Sequence, residues 1–505
     1  VIPRSFLIMR LAAWLCLVAF GCSAPDLSRT YFSCKTDSDC LAGKVCGLHN
    51  LQPACVDPSQ DPIRLGMSGP LKGPSENLGT EMARGIRAQF EAVNRAGGIF
   101  GRRLELDPRN DSYDPAQAIE NTKSLLDIRN SVDDPDKPDE RGANSVLALI
   151  GNVGTPTMLA TAPIATKNHV VFFAPFTGAQ AYLRDDTNSP YVFNYRASYY
   201  QETEAMVDYM KDNRNPRIIT GNDSYRRILV FAQRDSYGDS GYAGLVNAYN
   251  RRVAPLPQPD PAQPSPSIAV IRYERENLPS VDPAVTAASA FLQDVLDTAS
   301  NEQDLNSVAI VMVDTYQPGN KFIRGVKDWL NGSIDRATRL DVAFMHVSFV
   351  GSDSLAQALS AVPESYVDVT DPTGMRRKYY ADGVLVTQVV PSYESKAPGV
   401  TQYRQDLKAY EDRATSFTSL EGYVAARLFV EALRQNGPTF TGDSLVKTLE
   451  TKLTDLDIGI GTRLGFSSVD HQASDTVWGS ILDAGAQFRV PFSWNPIDRI
   501  VVESN

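Results

Sequence analysis

Short, wholly apolar runs recur along this chain and alternate with segments of helical periodicity. The runs are Val146–Ile150, Val170–Ala174, Ile228–Ala232 and Val308–Val313, and Val384–Val390 is similar apart from Thr387 and Gln388. A helical segment between two predicted strands carries Met82, Ile86, Phe90 and Val93 on one face. A strand that is apolar at every position is buried on both faces, which requires helices on both sides of the sheet. The pattern therefore predicts an α/β protein with parallel sheets.

Length and charge limit the architecture and the partners. A chain of 505 residues exceeds what one hydrophobic core usually accommodates, so two or three domains are expected. The formal net charge is -11. A negative protein is repelled by nucleic acid and by anionic membrane surfaces, so we expect no nucleic-acid partner.

The N-terminus has the features of an export signal. Arg10 precedes an apolar stretch, Leu11–Gly21, that is too short to span a bilayer. Small residues lead to Cys22, a pattern similar to the bacterial lipobox, in which this cysteine is lipidated. We expect residues 1–21 to be a signal peptide and Cys22 to carry a lipid anchor. The alternative is a secretory signal without lipidation.

Four further cysteines, Cys34, Cys40, Cys46 and Cys55, lie in one short segment rich in turn-forming residues. In an oxidising compartment such a segment is typical of a small fold with two disulfides, for which three pairings exist. The alternative is a zinc site with four cysteine ligands. The spacing lacks the C-x2-C pairs typical of zinc, so we expect disulfides and no metal.

A series of short motifs extends from Leu65 to Val490. In order they are Ser68–Leu71, Asn94–Arg103, Asp111–Pro115, Ile150–Asn152, Pro175–Gly178, Val192–Arg196, Asp235–Gly238, Glu421–Tyr423 and His471–Gln472. Each motif alone is weakly specific. Their order resembles the branched-chain amino-acid-binding (Leu/Ile/Val-binding-like) family of type I periplasmic solute-binding proteins, which serve ABC transporters.

The resemblance implies a type I periplasmic-binding-protein fold, in which two Rossmann-like lobes are joined by a hinge and enclose an interlobe cleft. We expect lobe one to comprise residues 62–195 and 391–470. Lobe two would comprise residues 196–390 and 471–505. A lipid-anchored tether with the cysteine-rich segment, residues 22–61, would precede the lobes.

Candidate ligand-binding residues of lobe one follow two predicted strands. Thr155 precedes Pro156, which favours the first helical position, so Thr155 is expected to be an N-cap whose helix start can hold an anion. The resemblance places Thr155 at the family's carboxylate-binding hydroxyl. Phe176, Thr177 and Gly178 match a loop that contacts the ligand, although Gly178 falls where relatives often carry a hydroxyl. The alternatives are that Thr155 only caps its helix and that Phe176 only packs in the core.

Candidate residues of lobe two are Tyr237, Tyr316 and Asp353. The resemblance implies that both tyrosines face the ligand and that Asp353 holds its ammonium group. An aromatic face also attracts a cation. The alternative for Asp353 is an ordinary turn residue.

Signatures of catalysis are missing from the sequence. No HExxH, GxSxG or GxxxxGK[ST] motif occurs, and the glycine-rich Asn94–Gly101 follows a helix instead of a strand. His471 is expected to be a loop or core histidine. We therefore expect a binding protein without enzymatic activity or cofactor.

The resulting hypothesis is an extracytoplasmic, lipid-anchored protein of the cell envelope or periplasm that captures an amino acid or a related amine or amide. An ABC permease complex is the partner that the resemblance implies. The alternative is a ligand-sensing receptor or envelope-assembly regulator that uses the same fold without transport.

Overall fold

The computed structural model describes most of the chain from residue 32 onward. The described residues are 32–35, 39–41, 44–49, 52–57, 62–142, 144–180, 182–184, 188–211, 224–256, 267–298, 306–361 and 365–502. The predicted signal peptide and Cys22 lie outside these residues. Among the described residues, no helix combines the length and apolar character needed to cross a membrane.

The cysteine-rich segment forms a small antiparallel hairpin of its own, with strands β1 (Val45–His49) and β2 (Gln52–Val56). A disulfide joins Cys40 to Cys55, and Cys34 is disulfide-bonded as well. The predicted disulfide character is thereby confirmed for Cys40 and Cys55. The side chain of Cys46 lies outside the described residues.

After the hairpin, the chain forms a five-stranded parallel sheet with strand order β4-β3-β7-β8-β9. Its strand β7 is wholly buried, as its apolar sequence predicts. The elements of this region are β3 (Ile63–Gly69), α1 (Glu76–Arg95), β4 (Leu104–Asn110), α2 (Pro115–Leu125), β5 (Ile128–Asn130), β6 (Glu140–Arg141), β7 (Ala148–Ile150), α3 (Thr155–Lys167), β8 (Val171–Phe173) and β9 (Val192–Phe193).

A second, eight-stranded sheet has the order β11-β10-β12-β13-β16-β19-β20-β21. The first five strands in this order run parallel, and the last three are added antiparallel. The elements of this region are α4 (Tyr199–Tyr209), β10 (Ile228–Gln233), α5 (Ser236–Arg252), β11 (Ala269–Tyr273), α6 (Val281–Asp297), β12 (Asn306–Val313), α7 (Tyr316–Asn331), α8 (Ile334–Arg339), β13 (Leu340–His346), α9 (Ser352–Ser360), β14 (Ser365–Val367), β15 (Arg377–Tyr379) and β16 (Leu385–Gln388). Strands β14 and β15 form a separate antiparallel pair.

The chain then returns to the first sheet before it completes the second. Helix α10 and helix α11 pack on α1, and the last three strands lie in the second sheet. The returning elements are α10 (Pro398–Tyr410), α11 (Phe417–Asn436), α12 (Gly442–Lys452), β17 (Leu456–Asp457), β18 (Arg463–Leu464), β19 (Val477–Leu482), β20 (Phe488–Asn495) and β21 (Arg499–Val502). We call the two sheets with their helices the first and second lobes. The exact residues at which the chain passes between them stay a prediction.

Glycines allow α1 and α11 to approach closely. A Cβ on Gly85 would lie 1.9 Å from the carbonyl oxygen of Ser419. One on Gly422 would lie 2.3 Å from the carbonyl oxygen of Met82. The backbones of the two helices are thus in direct contact, and this contact holds the returning segment on the first lobe.

Candidate functional site

The carboxyl ends of strands from both lobes face one another across the cleft. Loops after β7 and β8 supply the first lobe's residues, and loops after β10, β12 and β13 supply those of the second. In open α/β sheets a ligand binds beyond such strand ends. The sequence-predicted residues in these loops are Thr155, Phe176, Thr177, Gly178, Tyr237, Tyr316 and Asp353.

Thr155 and Thr177 form a buried pair of hydroxyls at the start of α3. Their side-chain oxygens are 2.7 Å apart, and neither residue is exposed. The expectation that Thr155 is the N-cap was wrong, because α3 begins at Thr155 and Gly154 precedes it with a φ of 103°. A side chain at Gly154 would overlap the ring of Tyr113, so only glycine fits the cap position. The Thr155 hydroxyl therefore does not cap the helix. It pairs with the Thr177 hydroxyl beside the positive end of α3.

Aromatic rings from both lobes meet in the middle of the cleft. The Phe349 ring lies 5.1 Å from Phe176, 4.7 Å from Tyr237 and 6.1 Å from Tyr113. All four side chains are buried. Phe349 belongs to the second lobe, whereas Phe176 and Tyr113 belong to the first, so this cluster closes the cleft with apolar surface.

The side chain of Tyr237 is fixed on its own lobe. Its hydroxyl donates a hydrogen bond of 2.9 Å to the backbone oxygen of Asp314. Burial raises the pKa of this phenol well above its usual value. Tyr237 therefore presents a ring, and not its hydroxyl, to the centre of the cleft.

Tyr199 occupies the space beside Gly178. A Cβ on Gly178 would lie 2.4 Å from the Tyr199 ring, and the Tyr199 backbone N–H donates a 2.7 Å bond to the Gly178 oxygen. The Tyr199 ring also lies 5.5 Å from that of Tyr237. Only glycine fits at position 178, because the Tyr199 ring occupies the space that a side chain would need.

Asp353 and Tyr316 contact the first lobe at the mouth of the cleft. Asp353, in the first turn of α9, accepts a 2.8 Å hydrogen bond from the backbone N–H of Phe417 and another bond from the Tyr393 hydroxyl. Burial raises the pKa of the Asp353 carboxyl to about 7, although both bonds oppose that shift. Tyr316 is bonded to the backbone of Asn77. Both predicted residues therefore lie at the lobe interface and contact residues of the first lobe.

Further polar contacts hold the lobes together. Ser75 donates to Glu276 at 2.6 Å, Asn77 donates to Ser354 at 3.0 Å, and Gln233 donates to the Tyr113 hydroxyl at 3.3 Å. In each pair one residue belongs to each lobe. The structure therefore represents a closed arrangement of the lobes.

A buried ionic group joins the segment after β9 to helices α4 and α11. The Arg196 guanidinium bonds to Glu202 and to Glu421, each at 3.1 Å, and both carboxylates are buried. Glu202 also accepts bonds from the Ser348 N–H at 2.7 Å and from the Thr387 hydroxyl at 2.6 Å. Burial raises the pKa of Glu421 to about 7, although Arg196 opposes the shift. This hinge cluster connects segments from both lobes through one cation.

Most of the two lobes matches a known protein family. A profile described as periplasmic binding protein matches residues 62–263 and 354–486. The chain belongs to the periplasmic binding protein family. Proteins of this family are substrate-binding proteins, in general without enzymatic activity, and membership implies a place in the periplasm or cell envelope.

Solved structures similar to this periplasmic binding protein share its fold. A possible leucine/isoleucine/valine-binding protein from Rhodopirellula baltica SH 1 is 30% identical, with a TM-score of 0.63 over 88% of this chain and 98% of that chain. The branched-chain amino acid transporter substrate-binding protein from Streptococcus pneumoniae, in complex with isoleucine, is 14% identical, with a TM-score of 0.60 over 88% and 100%. The second likeness shows the fold alone.

Curated relatives have corresponding names. Leu/Ile/Val-binding protein homolog 8 from Brucella abortus is 21% identical over 422 residues, which are 82% of this chain and 86% of that protein. Leu/Ile/Val-binding protein homolog 3 from Brucella melitensis biotype 1 is 22% identical over 192 residues, and the chain spans 44% of its length. The resemblance seen in the sequence is thus confirmed at the level of family and fold.

Two clusters that resemble reactive sites have structural roles in this binding protein. His471 stacks on Phe193 with ring centres 3.8 Å apart, and its two nitrogens lie within 3.2 Å of the Val192 oxygen and of Glu450. Among the described residues, the sulfurs of Cys34, Cys40 and Cys55 form the one group close enough to hold a metal. Disulfide bonds occupy all three, so no thiolate is available there.

Sequence reasoning missed Tyr113, Tyr199, Phe349 and the hinge cluster. Tyr113 lies inside the motif Asp111–Pro115 and has a φ of 59°, which is unusual for a non-glycine residue. Phe349 and Tyr199 carry no local pattern that distinguishes them from core aromatics. The signal that could have found Tyr199 is the departure at Gly178, because a missing side chain implies a neighbour that fills its space.

Proposed function

We propose that this periplasmic binding protein captures an amino acid between its two lobes for an ABC importer and is held to a membrane by a lipid on Cys22. The observation that carries the ligand class is the buried Thr155–Thr177 hydroxyl pair at the start of α3. Backbone N–H groups and hydroxyls at a helix start suit a carboxylate. A possible leucine/isoleucine/valine-binding protein from Rhodopirellula baltica SH 1 is 30% identical to this chain, which supports the same ligand class here.

The apolar cleft favours a ligand with an uncharged side chain. Phe176, Phe349 and Tyr237 would surround it with rings. Asp353 remains the proposed partner of the ligand ammonium, although its carboxylate already accepts a bond from Phe417. An ammonium at this point would share the carboxylate with the start of α11.

Calorimetric titration of the detergent-solubilised full chain tests the ligand class. The probes are the twenty amino acids, their primary amides and short peptides. At least one amino acid should bind with a dissociation constant in the micromolar range or below, and Thr155→Val, which removes the hydroxyl at similar size, should weaken it. Failure of every amino acid, together with binding of a ligand that lacks a carboxylate, would contradict the proposal.

The lipid anchor has a separate test. Cys22→Ser removes the only acceptor proposed for the lipid, so the variant should move from the membrane fraction to the soluble envelope fraction. Cys16→Ser, within the predicted signal, is the matched control and should leave the fractionation unchanged. A wild type that carries no lipid by mass spectrometry would refute the anchor.

Importer function is tested by uptake. Deletion of the protein should abolish high-affinity uptake of the radiolabelled amino acid identified by calorimetry. Unchanged uptake with a changed transcriptional response to that amino acid would favour the sensing alternative.

A further inference from the structure

Tyr199 fills the space that a side chain at position 178 would need. The Cβ of any residue other than glycine at this position would lie 2.4 Å and 2.6 Å from two ring atoms of Tyr199 and 2.8 Å from its backbone nitrogen. The tyrosine is itself buried. The two positions are therefore coupled, and the chain has a phenol beside the loop that follows β8.

The Tyr199 hydroxyl is buried, and no group among the described residues lies within 3.5 Å of it in hydrogen-bonding geometry. A weak interaction with the Thr177 side chain lowers the pKa of the phenol, so it acts on the phenol oxygen as an acceptor and not on its proton. The Thr177 oxygen is itself engaged with Thr155 at 2.7 Å and with the Ala179 N–H at 3.1 Å. Buried hydroxyls in folded proteins nearly always have a partner, because an unpaired one forfeits its hydration without compensation. A buried phenol whose proton has no acceptor, beside a ligand cleft, therefore indicates a donor that is available to the ligand.

The position of this hydroxyl suits a negatively charged ligand group. It lies beside the Thr155–Thr177 pair at the positive end of α3, and the Tyr199 ring faces that of Tyr237 on the second lobe. Burial raises the pKa of Tyr199 to about 12, so the phenol keeps its proton at neutral pH and donates a hydrogen bond.

We propose that Tyr199 is a specificity-determining residue whose hydroxyl donates a hydrogen bond to the ligand carboxylate beside the Thr155–Thr177 pair. This inference rests on the proposed function, because it assumes that an amino acid occupies the cleft. The ligand class is narrowed to molecules with a free carboxylate, since a carboxylate accepts such bonds more strongly than an amide oxygen does.

Tyr199→Phe tests the inference, because it removes one oxygen and keeps the ring against Gly178. The full chain in detergent is titrated with the amino acid that the wild type binds most tightly and with the primary amide of that amino acid. Tyr199→Phe should weaken the amino acid by about tenfold or more and the amide by less, so that the preference for the carboxylate shrinks. The ligand-free melting temperature should be unchanged or higher, since the hydroxyl has no hydrogen bond within 3.5 Å to lose.

Tyr249→Phe is the matched control. Tyr249 lies near the end of helix α5 and carries a hydroxyl that is also buried. This hydroxyl forms a hydrogen bond of 2.6 Å with the Ser224 hydroxyl. This variant should lose thermal stability without ligand and should keep wild-type affinity. The pair separates a hydroxyl that supports the fold from one that serves the ligand.

The outcomes distinguish the inference from the function on which it rests. If the wild type binds no amino acid, the proposed function fails. If the wild type binds one and Tyr199→Phe binds it equally well, or loses amide and acid in equal proportion, only the role of Tyr199 is refuted. A lowered melting temperature of ligand-free Tyr199→Phe would likewise indicate a structural hydroxyl and overturn the inference.

Discussion

The carboxylate of Asp353 accepts a hydrogen bond of 2.8 Å from the backbone N–H of Phe417, which is the first residue of helix α11. Asp353 belongs to the second lobe, whereas α11 packs on the first. An acidic side chain at the positive end of a helix is thereby used as a contact between lobes. Because burial raises the pKa of this carboxyl to about 7, the contact should respond to pH near neutrality.

Asp353→Asn should flatten the dependence of stability on pH. The pKa of Asp353 is raised from an unfolded value of about 3.9 to about 7 in the folded protein, so its contribution to stability is full below pH ~4 and is lost as pH rises through 7. Glu81 also lies near Asp353 and raises its pKa. Urea denaturation of the wild type should give a free energy of unfolding that falls between about pH 4 and pH 7 more steeply than that of the variant.

The matched control for this measurement is Asp294→Asn, which changes an exposed aspartate of helix α6. Its pH profile should parallel that of the wild type. Parallel profiles for Asp353→Asn and the wild type would show that Asp353 does not titrate in this range.

Gly85→Ala should destabilise the first lobe by about 2 kcal/mol. Alanine favours a helix more than glycine does, but the overpacking caused by the added methyl group costs more than this gain. The added Cβ would lie 1.9 Å from the Ser419 carbonyl oxygen, a backbone atom that cannot move independently of α11. Chemical denaturation measures the change. Gly485→Ala is the control, since the nearest neighbour of its added Cβ would be a side-chain oxygen 3.4 Å away, and it should stay within about 0.5 kcal/mol of the wild type.

Arg196→Met should cost about 3–5 kcal/mol of folding free energy, because it leaves the buried carboxylates of Glu202 and Glu421 without their cation. Arg251→Met is the control: its guanidinium is 59% exposed and pairs with Glu204 at 3.2 Å, so the loss should stay below about 1 kcal/mol. Thermal and urea unfolding measure both. A loss of similar size in the two variants would contradict the assignment of Arg196 as the cation that connects the lobes.

Replacing Cys40 and Cys55 together by serine should destabilise the N-terminal segment alone. The disulfide joins residues 15 positions apart. A disulfide across a loop of this length stabilises the folded state by about 3 kcal/mol, because it restricts the unfolded chain. Among the described residues, the cysteine cluster is separate from the main hydrophobic core. Limited proteolysis should therefore cut within residues 32–57 sooner in the variant, while the unfolding transition of the lobes stays at the wild-type temperature.

The sequence by itself determined the class of fold and the family. Wholly apolar runs such as Val308–Val313 are strands in the structure because helices cover both faces of a parallel sheet, and this requirement is local to each run. Glycines of Asn94–Gly101 end helix α1 with positive φ angles at Gly97 and Gly98, which the sequence also indicated. Such features depend on a few consecutive residues, so a single sequence can reveal them.

Only the tertiary structure decided which side chains share the cleft and which of them have spare hydrogen-bonding capacity. Tyr199 follows Gly178 by a loop and a strand, and nothing local shows that its ring fills the space beside that glycine. Arg196 meets Glu421 across 225 positions of the chain, and Asp353 meets Phe417 across 64. These contacts depend on how the two lobes close, and that closure is set by packing and charge pairing between distant segments instead of by the pattern within any one of them.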